Sequence, residues 1–139
     1  QSTMTKGDGQ MQQDLKKYFE ETEGTGVLAT AGQNGDVNAA VYARPHIFED
    51  GTAAMIMRNR LTRKNLQENP KAAYLFMEKG PGYKGCRLYL TKTAEATDPE
   101  KIKELRRRCP TTDTDPDNTE VYLVTFRVDK VLPLVGPGA

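Results

Sequence analysis

Hydrophobic residues near the start of the chain recur at the spacing of a helix. Met11, Leu15, Tyr18 and Phe19 stand at i, i+4, i+7 and i+8, which is the stripe of an amphipathic helix. The polar, glycine-containing residues 1–10 that precede this stripe are expected to form a flexible tail. The pattern therefore predicts a folded domain that begins at residue 11 with a helix.

After this stripe the pattern changes to runs typical of strands. Two strands are predicted on either side of Asn34-Gly35, the strongest short hairpin signal, and a turn at Asp50-Gly51 precedes a third strand. Three later apolar runs predict the remaining strands, the last with a kink at Pro133. These later runs cover residues 71–77, 85–96 and 120–135.

Two polar segments between the strands predict helices. Residues 60–69 are too polar for a strand, and Pro70 ends them. Thr97 to Glu100 form a capping box that starts the other helix, with Arg106–Arg108 in its last turn, where cations suit the helix dipole. Six mostly hairpin-linked strands with two or three helices predict a mainly β fold, a small antiparallel barrel with helices attached.

Composition narrows the class of protein without naming its chemistry. The 139 residues indicate one domain, at 11–139, and a net charge of +1 argues against a general nucleic-acid or membrane binder. The apolar runs are too short to span a membrane, so a cytoplasmic protein is expected. Cys86 and Cys109 are expected to be free thiols, and His46, the single histidine, cannot by itself build a metal site.

A group of four cations stands where the first of these polar segments begins. A helix N-terminus carries partial positive charge, so an anion belongs there, and the first turn contains no acidic side chain. With Thr62 and the first-turn amides, the cations would form a phosphate cradle. The alternative is a solvated basic face in which Lys64 pairs with Glu68. The four cations are Arg58, Arg60, Arg63 and Lys64.

The order of strands and turns across residues 26–78, including "RNRLTRKNLQENPKAAYLF", resembles the pyridoxamine 5'-phosphate oxidase-like, FMN-binding split-barrel proteins. The similarity extends over roughly residues 11–96, and the final strand is in keeping with it. The resemblance implies a homodimer of six-stranded antiparallel split β-barrels. It also implies that FMN lies in the groove between the two subunits.

The resemblance also assigns residues to parts of FMN. Without gaps, the family's phosphate motif aligns with Arg60, Leu61 and Thr62, and Arg58 supports it. A shifted alignment on Thr62-Arg63-Lys64 keeps the residue types but breaks the spacing. The flavin ring would rest against the strand at residues 39–44 and against the strand that ends before the cations, and Arg87 would reach the flavin. The ring contacts implied are Ala40, Val41, Tyr42, Arg44, Met55, Ile56 and Met57.

The sequence names no catalytic side chain. It holds no Ser-His-Asp or Cys-His set, and a flavin enzyme needs none because the cofactor carries the redox chemistry. Tyr42 is expected to pack in the core and His46 to lie at the surface. The resemblance implies an oxidoreductase that acts on a small molecule with an electron donor. Its alternatives are a flavin carrier or electron-transfer protein, and a haem-binding module on the same barrel.

Overall fold

The computed structural model describes residues 15–108 and 121–136. Within them the chain forms three helices and seven strands. The N-terminal tail, Met11, Cys109 and the loop predicted at residues 110–118 lie outside these ranges. The elements are α1 (residues 15–21), β1 (Gly24–Ala31), β2 (Val37–Val41), β3 (His46–Ile47), β4 (Ala53–Arg58), α2 (Leu61–Glu68), β5 (Lys71–Glu78), β6 (Gly85–Ala96), α3 (Pro99–Arg108) and β7 (Val121–Pro133).

The seven strands form one sheet in the order β2-β1-β5-β6-β7-β4-β3, and every neighbouring pair is antiparallel. The predicted mainly β fold with attached helices is confirmed. The sheet has one strand more than expected, because the two residues of β3 pair with Ala53 and Ala54. A strand of two residues is too short to produce an alternating pattern, so the sequence did not indicate it.

Both predicted hairpin turns are present. Gly35 has φ +85° and Gly51 has φ +87°, the left-handed conformation that favours glycine. The Gly35 amide donates to the Gly32 carbonyl at 3.1 Å, and the Gly51 amide donates to the Phe48 carbonyl at 2.9 Å. These closed turns fix the register of β1 against β2 and of β3 against β4.

The main core lies on the inner face of the sheet, where Leu28, Tyr74, Phe76 and Phe126 are all fully buried. Phe19 of α1 covers this face and contacts the rings of Tyr74 and Phe76 edge-on. A second apolar cluster lies on the other side of β4, where α3 packs. It consists of Ala54, Ile102, Leu105 and Leu123, with Phe48, Ile56 and Val121 against it.

α3 begins one residue later than the capping box predicted. The carboxylate of Asp98, not the Thr97 hydroxyl, accepts hydrogen bonds from the amides of Glu100 at 3.1 Å and Lys101 at 3.4 Å. Pro99 explains the shift, since proline favours the first helical position and the capping residue then precedes it. The helix continues to Arg108, so the run Arg106–Arg108 forms its end as expected.

The outer face of the β2-β1-β5-β6-β7 part of the sheet carries exposed apolar side chains. Directly paired residues share a face of an antiparallel sheet, and one such row crosses all five strands. We call this surface the outer apolar face. The row consists of Val41, Val27, Leu75, Arg87 and Leu132, with Val41 74% exposed and Leu75 37% exposed. Val37 and Met77 extend the face, at 82% and 40% exposure.

Candidate functional site

The start of α2 has the features of an anion site. Arg60 is the N-cap residue, with φ −131° and ψ −173°, and its side chain makes no capping hydrogen bond to the first turn. The first turn contains no acidic residue. Leu61 is 52% exposed, whereas Thr62 beside it is 3% exposed. The positive end of the helix dipole therefore has no negative side chain of its own helix to balance it.

A hydrogen bond brings the start of α2 to the edge of the sheet. Asn38 of β2 donates from Nδ2 to the Thr62 hydroxyl at 3.2 Å. β2 is the first strand in the sheet order, and β4, which leads into α2, is the last but one. One turn later, Asn65 donates to the Thr30 hydroxyl at 3.2 Å. α2 therefore bridges the two ends of the sheet and curls it towards a split barrel.

Two backbone edges flank this bridge. The outer edge of β2 pairs with no other described strand, and β3 covers β4 only at Ala53 and Ala54. Among residues 15–108 and 121–136, the edge of β4 from Met55 to Arg58 on that side therefore has no strand partner. We call the region between the β2 edge and this part of β4, with the start of α2 at its end, the seam. Unpaired strand edges present N–H and C=O groups that can bind a flat polar ring.

The side chains along the seam contribute less than its backbone. Tyr42 packs against the main core, as the sequence predicted, and its amide donates to the Gly26 carbonyl at 3.0 Å. Met55 and Met57 are buried at 3% and 0% exposure, with their side chains in the main core. Ile56 packs in the cluster under α3. The Tyr42 carbonyl accepts a hydrogen bond from the Tyr74 hydroxyl at 3.1 Å, so a ligand at the seam would contact mainly the main chain of the neighbouring residues.

Arg63, a candidate in the shifted alignment, is engaged elsewhere. Its guanidinium makes a two-point contact with Glu95, with Nη2 at 2.6 Å from Oε1 and Nε at 3.2 Å from Oε2. Nη1 donates to the side-chain oxygen of Asn59 at 2.9 Å, and the guanidinium carbon lies 3.6 Å from the centre of the Tyr122 ring. To bind a phosphate in the shifted alignment, the Arg63 side chain would have to leave these partners.

The alternative of a solvated basic face with a Lys64–Glu68 pair is weakened at one point. The Glu68 carboxylate accepts the amide hydrogen of Gln33 at 2.9 Å, which ties the end of α2 to the β1–β2 turn. The Glu68 carboxylate therefore bonds to the β1–β2 hairpin and not to Lys64. Lys64 itself is exposed, and its amide donates to the Arg60 carbonyl at 3.0 Å.

Arg44 lies beyond the end of β2, beside a pocket of about 340 Å³. Its Nη1 donates to the Thr22 carbonyl at 2.6 Å, so this guanidinium joins the segment after β2 to the end of α1. His46, expected at the surface, is half-buried on β3 and lines the same pocket. The pocket is lined by Lys16, Phe19, Glu20, Arg44, Pro45, His46, Ile47, Phe48 and Glu49.

Arg87 lies apart from the seam, on the outer apolar face. Three strand spacings of about 4.8 Å each, or about 14 Å, separate it from Val41 in the same row. Thr62 lies on the other side of the sheet, since it contacts the inner-face residue Asn38. Arg87 Nε donates to the Pro133 carbonyl at 3.0 Å and Nη1 to the Tyr89 hydroxyl at 3.3 Å. Its Nη2 is buried with no hydrogen-bond partner among the described residues.

Sequence reasoning missed three polar residues that build this region: Asn38, Asn65 and Glu95. Nothing in the sequence marks Asn65 as buried, and its partner Thr30 lies 35 residues away in the chain. Asn38 and Glu95 lie 24 and 32 residues from their partners on α2, and no local pattern indicates such contacts.

Comparison with known proteins agrees with this architecture. A family model described as pyridoxamine 5'-phosphate oxidase matches residues 12–132. The chain belongs to the pyridoxamine 5'-phosphate oxidase family. No curated protein matches the sequence of this chain.

Several solved structures share the family fold. An FMN-binding protein from Syntrophomonas wolfei subsp. wolfei is 20% identical, with a TM-score of 0.72 over 97% of this chain and 96% of that one. An F420 reductase is 16% identical, with a TM-score of 0.65 over 83% and 94%. The HupZ protein of Group A Streptococcus is 18% identical, with a TM-score of 0.62 over 88% and 92%. At these identities the likeness establishes the split-barrel fold.

Residues 15–108 and 121–136 lack the features of two other kinds of site. No group of three or more His, Cys, Asp or Glu side chains lies together as a metal ion would need. In the same residues, no helix has both the length and the apolar character required to cross a membrane.

Proposed function

We propose that this chain is a flavoprotein that binds FMN with its phosphate at the start of α2. The observation that carries the proposal is the bridge between Asn38 and Thr62, which holds a helix N-terminus with no acidic residue in its first turn against the edge strand β2. The phosphate would contact Arg60, Leu61 and Thr62, with Arg58 nearby. The ring would extend along the seam, against the main chain of Ala40 and Val41 and of Met55 to Met57. Tyr42 and Arg44 would lie beyond the end of β2.

The donors in this region suit an anion rich in acceptor atoms. Thr62 accepts a hydrogen bond from Asn38, so its own hydroxyl hydrogen is available to donate to a phosphate oxygen. Arg60 contributes positive charge at the helix end, and first-turn amides are the usual phosphate donors at such a site. The edges of the seam supply main-chain donors and acceptors for the ring. FMN carries both features, a phosphate and a flat ring with polar atoms along one side.

We also propose that two copies of the chain assemble and share the flavin. The outer apolar face is large for a surface that stays in water, and Leu75 and Met77 at its centre suit an interface. Arg87 stands on this face with an unbonded, buried Nη2. Within one chain it faces away from Thr62, so an Arg87 that reaches the FMN held at Thr62 would come from the second copy.

When bound, FMN would supply the redox chemistry, and the chain would contribute binding, orientation and exclusion of water. We propose an oxidoreductase that acts on a small molecule, with the pocket beside Arg44 and His46 as the space next to the ring. The FMN-binding protein and the F420 reductase among the structural neighbours support a redox role. The competing functions on this fold are a flavin carrier without turnover and a haem-binding module.

The phosphate assignment is tested by comparing FMN with riboflavin, which lacks the phosphate. Fluorescence quenching measures both affinities in the wild type, Arg60→Ala and Thr62→Val. Arg60→Ala removes a charged hydrogen bond of roughly 1.5–3 kcal/mol, which corresponds to about ten- to a hundredfold weaker FMN binding. Thr62→Val keeps the side-chain shape and removes a neutral bond of about 0.5–1.5 kcal/mol. Riboflavin binding should be nearly unchanged in both variants.

The matched control is the other basic cluster of the chain. Replacing Arg106, Arg107 and Arg108 with glutamine removes three cations from the end of α3, where the helix dipole favours them. FMN affinity should stay at the wild-type value in this triple variant. Equal weakening of FMN and riboflavin by Arg60→Ala, or a large loss of FMN affinity in the triple variant, would contradict the assignment.

Absorbance spectra and reduction kinetics test the activity. Oxidised flavin and haem have distinct visible bands, so the spectrum of freshly purified protein separates a flavoprotein from a haem-binding module. Bound FMN that NADH or NADPH reduces, and that a small-molecule acceptor reoxidises in repeated cycles, supports the oxidoreductase. Bound FMN that stays oxidised with either donor points instead to the carrier.

A further inference from the structure

A partly buried ionic cluster attaches the start of α2 to the sheet at a second point, separate from Asn38. Arg63, the third residue of α2, makes its two-point contact with Glu95 of β6 at 2.6 and 3.2 Å. The two side chains are only 13% and 20% exposed. The Arg63 guanidinium also lies 3.6 Å from the centre of the Tyr122 ring on β7. The cluster therefore ties the first turn of α2 to two neighbouring strands.

The charges in this cluster explain how α2 tolerates a cation in its first turn. A positive side chain there is unfavourable next to the positive end of the helix dipole, and Glu95 of β6 neutralises the charge of Arg63. A two-point contact between guanidinium and carboxylate also fixes orientation, because both planes must align. Lys92 reaches the same carboxylate at 3.3 Å through a single contact, so it adds charge but little orientation.

Two attachments thus hold one helical turn. Asn38 holds Thr62 from the edge strand β2, while Glu95 holds Arg63 from β6. Thr62 and Arg63 are consecutive, so their side chains leave the helix about 100° apart, and the two attachments oppose rotation of the turn about its axis. A binding site built from first-turn amides and a hydroxyl depends on that orientation.

We propose that Glu95 and Arg63 are positioning residues for the anion site, with Glu95 acting through Arg63 and neither side chain contacting the phosphate. This inference rests on the proposed FMN function. It goes beyond it by assigning a role to a pair of residues outside the binding contacts. The pair orients the groups that bind phosphate and leaves the ring contacts along the seam unaffected.

The experiment compares FMN with riboflavin affinity in Arg63→Met, Glu95→Gln and the double variant. Both single variants should lower FMN affinity by about twofold to thirtyfold, the range expected for residues that act through a neighbour. Riboflavin affinity should stay unchanged. The double variant should bind FMN no more weakly than the single variant with the lower FMN affinity, since the two residues act as one unit. Lys92→Met, which removes the single contact to Glu95, is the matched control and should leave both affinities near the wild-type values.

The direction of the Glu95→Gln effect separates positioning from direct binding. If Arg63 itself binds the phosphate, releasing it from Glu95 should leave FMN affinity unchanged or raise it, while Arg63→Met lowers it. That pair of results overturns the proposal. Equal losses for FMN and riboflavin overturn it as well, because they indicate general damage to the fold. If Arg63→Met does not fold, Arg63→Lys keeps the charge and loses the two-point contact, and unchanged FMN affinity in that variant is also contrary to the proposal.

Amide hydrogen exchange gives a measurement that needs no ligand. The Lys64 amide donates to the Arg60 carbonyl at 3.0 Å across the first turn of α2. Its exchange should be faster in Arg63→Met and Glu95→Gln than in the wild type or Lys92→Met. If the wild type binds FMN and riboflavin equally, the proposed function fails, and faster exchange still supports the positioning role. Unchanged exchange in both variants overturns the positioning role alone.

Discussion

Tyr18 donates its phenolic hydrogen to the carboxylate of Glu78 at 2.5 Å, joining α1 to the end of β5. The ring of Tyr18 also packs edge-on against Phe76, with 5.9 Å between the ring centres. Burial of the hydroxyl, followed by the hydrogen bond to Glu78, raises the pKa of Tyr18 well above its usual range. α1 is therefore fastened over the core by a polar contact as well as by apolar packing.

Tyr18→Phe keeps the ring and removes this hydrogen bond. It should lower the free energy of unfolding by about 1–2 kcal/mol at pH 8. Because the pKa of Tyr18 is raised in the folded state, its contribution is complete below about pH 10, where unfolded tyrosine ionises, and declines above it. Guanidinium denaturation at pH 8 and pH 10.5 should show a smaller difference between wild type and variant at the higher pH. A difference that grows with pH would contradict this account.

Glu95 should make the protein sensitive to acid. The hydrogen bond from Arg63 lowers the pKa of Glu95, with a further contribution from Lys92. A carboxylate with a lowered folded pKa stabilises above its unfolded pKa, near 4.3, and loses that effect as the pH falls through the folded value. Wild type should lose more stability between pH 5.5 and pH 3 than Glu95→Gln does. Equal losses in wild type and Glu95→Gln would contradict this account.

The outer apolar face should govern assembly. Light scattering at micromolar concentration should give the wild type twice the mass of the 15.5 kDa chain. Met77→Lys places a charge on this face and should give the single-chain mass. If the second copy supplies Arg87, this variant should also bind FMN at least about tenfold more weakly than the wild type does. Lys103→Glu, a charge change on the exposed side of α3, should remain a dimer. A wild type that is monomeric would refute both the interface and the shared site.

Cys86 should react slowly in the folded protein. It is 8% exposed, and burial together with the nearby Glu78 carboxylate raises the pKa of Cys86 to about 11. At pH 8.5 the fraction of reactive thiolate is about a hundredfold lower than for a thiol of ordinary pKa. Alkylation by iodoacetamide in a Cys109→Ser background, followed by mass spectrometry, should be much slower than in guanidinium. Similar rates in both conditions would show that Cys86 is accessible.

The sequence predicted the elements whose signals are local. Asn34-Gly35 marked the first hairpin because its turn requires a left-handed residue, and Gly35 has φ +85°. The polar run that ends at Pro70 marked α2, which the structure ends at Glu68. The prediction that Thr97 caps α3 was wrong. The capping-box pattern starts at Thr97, but Pro99 takes the first helical position, so Asp98 is the capping residue.

Contacts between distant segments could not be predicted from these patterns. Arg63 and Lys64 had the residue types of a phosphate motif, and only the position of Glu95 shows that one of them is engaged elsewhere. Arg87 is known to lie on the outer apolar face because the order and pairing of the strands in the sheet are known. The sequence predicts the strands along the chain but not their order in the sheet. Local patterns thus predicted where the proposed anion site begins, while its supports depend on the folded sheet.

The pairing of β4 with β7 has a consequence for when the site comes into existence. Ala53–Arg58 pair with residues 121–126, whereas β3 pairs with β4 only at Ala53 and Ala54. Most of the strand that leads into α2 is therefore fixed by a segment more than 60 positions later in the chain. During synthesis, the β1–β2 hairpin and β5 can pair early, whereas β4 must wait until residue 126 has left the ribosome. A nascent chain therefore has one side of the seam without the other. FMN binding at the proposed site would then begin only after β7 has been synthesised and has paired with β4.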